Sequence, residues 1–414
     1  LILQGEAHYL PGSELYYGDT SCCFITRWCF QSLCDHVFDI KTGKQDWGTT
    51  DVPGGVTFDP ADVKLGDLVF VRDIDIFMET LHPKIKVPYI MLTHGDFHNT
   101  THDDDLRYLE DEKIIAWFSV HPPKRAHKKY YPIPLGVVQR RCVFERKQHY
   151  LDFFKLLRDQ PKKKLLLGTF GMRINRERKA LAQSLSNKPF YSFLKKNLHF
   201  DDYMRAIASS VFTLSPRGFG PDCYRTWEAL LAGSIPIVKR GEYGIIKGVK
   251  FLSMVNCRNS TSEDPEEEEV FYPTPAIRAQ LDRLYENLPV LVVDEWEEIT
   301  EEFLEQKYKE ITSKKYSIAP LYIDYWRQVI DSVRQEYLKN HQKNDGSLLD
   351  DRNLSRAVEH TVKINNGFFL LDFMRGFFSR LGEAFTPVSK EMSKDTEQCG
   401  KNLCGAVEYN AEKN

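Results

Sequence analysis

Two arginines and a glutamate, Arg217, Arg225 and Glu228, fall inside one stretch, Ser209 to Val238, that reads SSVFTLSPRGFGPDCYRTWEALLAGSIPIV. A guanidinium presents a planar fork of donors that matches phosphate oxygens, and two such forks suit a diphosphate. Gly218 and Gly220, between the two arginines, let backbone N–H groups come close to an anion. Glu228 follows Arg225 by three residues, which on a helix puts both on one face. A carboxylate placed there can accept hydrogen bonds from both hydroxyls of a ribose. The plainer alternative is a surface ion pair of Arg225 and Glu228 beside a buried Trp227, and such pairs are common and weak.

Positioning these groups takes a strand, a loop, a helix and a second strand. Val211 to Leu214 is a short apolar run with β-branched residues, the pattern of a buried strand. Pro216, Gly218, Gly220 and Pro221 stop both helix and strand between Ser215 and Pro221. Asp222 suits a helix N-cap, Tyr224, Trp227, Leu230 and Leu231 recur at helical spacing, and Gly233 fits just past the helix end. Ile235 to Val238 is the second strand. Open α/β sheets bind ligands where such loops leave the carboxyl ends of their strands.

The stretch closely resembles the C-terminal half of the exostosin-like glycosyltransferases. That family's hallmark is a serine-proline-arginine-glycine loop, then arginine, tryptophan and glutamate, then a glycine and a strand. Leu288 to Leu304, LPVLVVDEWEEITEEFL, is similar to the family's closing strand and tryptophan-bearing helix. The likeness covers Lys164 to Ile330 well and the N-terminal half loosely. It implies an α/β fold of the GT-B type, two Rossmann-like domains facing across a cleft. The implied reaction moves a sugar from a nucleoside diphosphate sugar, a UDP-sugar ahead of a GDP-sugar, to a glycan or glycoconjugate hydroxyl, with inversion. On that resemblance Ser215, Arg217, Gly218, Gly220, Asp222, Arg225 and Glu228 hold the donor, and no cofactor or metal is required. It also implies the Golgi or secretory pathway, with the cytoplasm as the alternative.

The chain of 414 residues exceeds what one core usually serves, and 42% hydrophobic residues supply material for two. The expected division is 1–160, an acceptor-side α/β domain, 161–339, the nucleotide-sugar-binding domain, and 340–414, a partly disordered tail. A net charge of -3 argues against nucleic acid as the partner. No apolar run approaches the ~18 residues of a membrane span. Leu1 in place of a methionine means a missing or trimmed start, which leaves room for a signal or anchor upstream. Among nine cysteines, Cys22, Cys23, Cys29 and Cys34 cluster without the two CxxC pairs of a zinc site, and local disulfides stay open. Sequons begin at Asn99, Asn259 and Asn353 and decide nothing about compartment.

The first ~65 residues are turn-rich and carry no regular pattern. From there strands are expected at Leu68–Val71, Pro88–Thr93, Ile114–Phe118 and Tyr131–Leu135, with helices at Asp75–Leu81, Asp103–Glu112 and Arg146–Arg158. The second half brings strands at Lys164–Phe170, Val249–Leu252 and Val290–Val293, a basic loop with Arg173, Arg176 and Arg178, and helices at Asp201–Ser209 and Leu321–Leu338. Alternating strands and helices imply mostly parallel sheets covered on both faces. Phe368 to Phe385 reads as an aromatic amphipathic helix, too polar to span a bilayer, that docks on a protein surface or lies on a membrane.

The first half offers one polar constellation, THGDFHNTTHDDD, Thr93 to Asp105, leaving the strand Pro88–Leu92. An acceptor hydroxyl must lose its proton as it attacks the anomeric carbon, and His94 or Asp96 is the expected general base. Acceptor contact, loop scaffolding and metal binding are the alternatives. His121, His127, Lys128 and Lys129 form a later basic loop, either on the cleft or solvated. Two other classes stay open: a catalytically inactive relative that binds without transfer, and another α/β nucleotide enzyme, for which no G-x-G-x-x-G or Walker loop is present.

Overall fold

The computed structural model describes residues 24–39, 57–94, 103–123, 125–138, 147–172, 176–194, 198–218, 220–240, 243–246, 268–271 and 274–345. In the first half, α1 (Arg27–Ser32) and β1 (His36–Phe38) precede β2 (Leu68–Val71), α2 (Ile74–Thr80), β3 (Tyr89–Thr93), α3 (Asp103–Glu110), β4 (Ile114–Ser119) and β5 (Tyr130–Pro132). The five strands form one parallel sheet in the order β1-β2-β3-β4-β5. LVFV, YIMLT and IIAWFS are buried at every position, as expected of parallel strands covered on both faces. Val69, Val71, Phe77, Met91 and Trp117 make the centre of the core.

The second half begins with α4 (Lys147–Arg158) and β6 (Lys164–Gly168), then α5 (Arg176–Leu185), β7 (Tyr191–Phe193), α6 (Phe200–Ala208) and β8 (Ser210–Leu214). It continues through α7 (Tyr224–Leu231), β9 (Ile235–Lys239), a hairpin of β10 (Tyr243–Ile246) and β11 (Glu268–Phe271), α8 (Pro275–Asp282), β12 (Leu291–Val293), α9 (Glu301–Thr312) and α10 (Ile323–Asp345). Five strands pair in parallel in the order β12-β9-β8-β6-β7, while β10 and β11 pair with each other in antiparallel. Leu166, Phe212, Leu214, Ile237 and Leu304 fill its core. Two Rossmann-like parallel sheets are thus the architecture. The chain divides into two compact units: the first reaches Arg334 and holds both sheets, and the second begins at Gln335.

Within the first unit the chain crosses between the sheets at Pro132–Val138, and this segment is tied down residue by residue. Leu135 N donates to Asp222 Oδ2 at 2.7 Å, Val138 N to Glu228 Oε1 at 3.2 Å and Val137 N to Ile25 O at 2.9 Å. Gly136 has φ of +75°, and a Cβ there would run into the Ile25 carbonyl, so the position takes glycine on both counts. The first half of α10 packs back on the N-terminal half of the chain: Trp326 meets Phe30, and Arg334 pairs with Asp35 at 3.1 Å.

Several elements depart from the sequence expectation. The turn-rich opening holds α1 and β1, and β1 is three residues long, too short to show an alternation. The strand expected at Tyr131–Leu135 ends at Pro132, because Leu135 spends its N–H on Asp222. Arg176 and Arg178 lie on α5, not in a loop. Cys29, Cys34 and Cys223 are free thiols. The helix α10 runs on to Asp345, past the expected start of the tail at 340. The expected strand at Val249–Leu252, the helix at Phe368–Phe385, the tail beyond 345, Cys22, Cys23 and the three sequon asparagines lie outside the described residues.

Candidate functional site

In the second sheet β6 lies between β7 and β8. The connection from β6 runs outward to β7, and the one from β8 runs the other way to β9. With right-handed crossovers the two connecting helices lie on opposite faces, and a crevice opens at the carboxyl ends of β6 and β8. The loop after β6 leads to α5 with Arg178, and the loop after β8 carries Arg217 and leads to α7 with Arg225.

Three guanidinium groups converge there. Arg178 spends its donors on carbonyls of both loops: Nε on Arg217 O at 2.8 Å, Nη2 on Pro216 O at 3.1 Å and Nη1 on Gly171 O at 3.3 Å. It staples the two sides of the crevice. Burial, with the neighbouring Arg225 charge next, lowers its pKa to about 10. Arg225 lies over the Phe170 ring at 5.6 Å and Arg178 over the same ring at 6.0 Å. Arg217 Nε lies 3.3 Å from Glu177 Oε2, and the other Glu177 oxygen accepts from Trp296 Nε1 at 2.6 Å. Among the described residues, buried Arg225 Nε has no hydrogen-bond partner. Like charges held this close cost energy unless an anion joins them.

The glycines and the helix start add room and donors. Among the described residues, a Cβ built on Gly218 would meet Arg178 Nη2 at 3.8 Å, an ordinary van der Waals distance. On Gly220 a Cβ would fall 2.8 Å from His121 Cε1 and 3.0 Å from Nδ1, so the loop and this histidine are in close contact. The N-cap of α7 is Cys223, one residue after the Asp222 expected there, and its side chain makes no cap bond. Gly233 takes φ of +73° just past the helix, where glycine was expected.

The remaining expected donor residues face inward. Ser215 is buried and its Oγ lies 2.8 Å from Thr226 Oγ1 and 3.0 Å from Cys223 Sγ. Asp222 is buried and accepts from Leu135 N, Cys223 N and Trp227 Nε1, the last at 2.7 Å. Burial raises its pKa to about 6 against the pull of these donors. Glu228 is 3% exposed, with Oε1 accepting from Val138 N and Oε2 from the Tyr203 hydroxyl at 2.6 Å. In this conformation both its oxygens, expected to hold a ribose, are engaged by protein donors, and the Val138 contact ties the two halves of the chain together.

At the carboxyl edge of the first sheet, His94 follows β3 but is 1% exposed and stacked on Phe30 at 5.3 Å. Its Nε2 donates to Pro134 O at 3.1 Å, buried Nδ1 has no partner among the described residues, and burial with the Arg27 charge lowers its pKa to about 3. A ring so placed is neutral and shielded, which is a poor setting for the base role expected of it. Asp96 lies outside the described residues. Of the later basic loop, His121 follows β4 against Gly220, whereas Lys129 Nζ donates to Asp111 O, before the amino end of β4. Arg178 is the addition that sequence reading did not place in the site, and of the two settings open to His121, cleft or solvent, it takes the one beside the glycine-rich loop. Among the described residues no three His, Cys, Asp or Glu side chains gather as a metal site, and no helix is long and apolar enough to cross a membrane.

Comparison of the sequence with curated proteins gives no match. Among solved structures, the chain is similar to the GtfA/B complex, at 12% identity over 66% of this chain with a TM-score of 0.32, and spans 59% of that chain. It is similar to sucrose-phosphate synthase from Thermosynechococcus elongatus at 11% identity over 67% of this chain and 74% of that one, TM-score 0.26. The catalytic domain of starch synthase IV from Arabidopsis thaliana bound to ADP and acarbose gives 12% identity, 66% and 74% coverage and a TM-score of 0.26. Residues 145–265, which carry Arg178, Arg217, Arg225 and Glu228, match the RXYLT1 C-terminal domain, an exostosin-like family, in agreement with the motif between Ser215 and Glu228.

Proposed function

We propose that this chain is a glycosyltransferase that takes a sugar from a nucleoside diphosphate sugar, a UDP-sugar in the first instance, and passes it to a glycan or glycoconjugate hydroxyl. The observation that carries the reading is the convergence of Arg178, Arg217 and Arg225 on the crevice between β6 and β8, with one Arg225 donor unspent. Arg225 and Arg217 clamp the diphosphate, Arg178 fixes the two loops at the right separation, and the open start of α7 adds partial positive charge. Gly218 gives the phosphates their closest approach to backbone. The aromatic wall formed by Phe170, with Phe193 at 5.3 Å, bounds the same crevice. Ser215, Asp222 and Glu228 hold the loop and helix in place.

Transfer follows as a single displacement with inversion, the leaving diphosphate stabilised by the arginines and the acceptor activated from the first sheet's carboxyl edge. The required cofactors are none beyond the donor itself, and the exostosin-like match favours the Golgi or secretory pathway. The burial of His94 favours a second reading, donor binding without transfer. Thermal unfolding with a panel of UDP- and GDP-sugars tests the proposal, because a ligand that binds only the folded state raises the melting temperature. UDP-sugars and UDP raise it, and uridine, without the diphosphate, raises it far less. A panel with no shift for any nucleotide contradicts the proposal.

A further inference from the structure

At the carboxyl edge of the first sheet, His94 and His121 are the histidines among the described residues, and they differ in what they face. His94 is sealed behind Phe30 and Pro134. His121 is half-buried and lies against Gly220, with Nδ1 3.0 Å and Cε1 2.8 Å from the position of a Cβ on that glycine. Gly218, two residues earlier in the same loop, faces Arg178. One glycine-rich loop therefore touches the arginine cluster with one glycine and the first-sheet imidazole with the other.

The backbone beneath His121 is fixed. Its N–H donates to Ser119 Oγ at 3.1 Å, and that hydroxyl accepts from Thr93 Oγ1 at 2.8 Å. Thr93 Oγ1 in turn accepts from the buried Trp117 Nε1 at 2.9 Å. Strands β3 and β4 thus set the His121 backbone from their own ends. Ordered support of this kind is what a proton-transfer group needs, since geometry comes before basicity.

Resting on the glycosyltransferase reading, we infer that His121 is the general base of the transfer. The acceptor O–H oxygen attacks the anomeric carbon, and the bond from that carbon to the diphosphate oxygen breaks. Its electron pair leaves with the diphosphate toward the arginines, and the acceptor proton passes to the His121 imidazole and then to solvent. The same group activates water when no acceptor is bound, so donor hydrolysis reports on it without knowledge of the acceptor. Gly220 has a role in this arrangement: its missing side chain lets the imidazole approach the loop.

The experiment uses the full chain as wild type, His121→Ala and His121→Gln. UDP affinity is measured by calorimetry, and UDP release is followed from a panel of UDP-linked hexoses, pentoses and uronic acids, with and without added imidazole. Both variants keep UDP affinity within about 3-fold and lose about 10²- to 10⁴-fold in UDP release. Imidazole restores part of the rate in His121→Ala, where it fits the vacated space, and not in His121→Gln. Wild-type rates in both variants overturn the inference, as does a loss of rate that imidazole does not touch in either. A wild type that binds UDP yet releases none from any sugar also overturns it and leaves a binding protein. A wild type that fails to bind UDP overturns the glycosyltransferase reading itself.

Discussion

His94→Gln separates a structural histidine from a chemical one. In the folded chain His94 has a pKa of about 3 against an ordinary 6.5, so its ring is neutral where an unfolded chain would protonate it. A depressed folded pKa gives stability that is present above the unfolded value and lost as pH falls toward the folded one. The full displacement is worth about 5 kcal/mol at ~1.4 kcal/mol per pH unit, and the portion lost between pH 7 and pH 5 is about 2 kcal/mol. Glutamine keeps a donor for the Pro134 carbonyl and has no charge to gain. Urea unfolding of wild type and variant at pH 7 and pH 5 gives the comparison. Other titrating groups, such as His82 and Asp222, are common to both proteins and cancel in the difference. The variant loses about 2 kcal/mol less than wild type on acidification. Equal losses would refute the burial argument and restore His94 as an accessible group.

Other outcomes follow from the same contacts. Gly220→Ala places a Cβ within 3.0 Å of the His121 ring, which must swing away, so UDP release falls at least about 10-fold while UDP affinity holds. Unchanged release would mean that the loop and ring do not need their present contact. Glu228→Ala strands the Val138 N–H and the Tyr203 hydroxyl and costs about 3 kcal/mol in chemical denaturation. Loss of UDP affinity with full stability would instead give Glu228 to the ribose.

The strand, loop and helix from Ser210 to Leu231 are legible in the sequence because their signals are local. Proline and glycine punctuate the loop, the apolar spacing marks α7, and Gly233 ends it with the positive φ it was expected to supply. The arginine cluster is only partly legible. Arg217 and Arg225 share a motif, but Arg178 arrives from another connection, and it joins them because β6 and β8 are neighbours while β7 lies outside. Nothing local to α5 announces that order. The same limit explains Glu228 and Asp222: their partners, Val138 and Leu135, belong to the other half of the chain. A carboxylate at helical spacing from an arginine reads as a ribose acceptor or an ion pair until the long-range donors are known. His94 follows the pattern too, since its burial depends on Phe30 and Pro134, far on either side.

Calorimetric titration of wild type and Arg225→Lys with UDP and with uridine tests directly whether the arginines between β6 and β8 receive a diphosphate. Lysine keeps the charge and loses the fork whose Nε is unspent. UDP affinity should fall about 10- to 100-fold in the variant, the loss of one or two charge-assisted hydrogen bonds, while uridine binding stays the same. Equal losses for UDP and uridine, or no loss for either, would contradict the assignment of the cluster to a diphosphate.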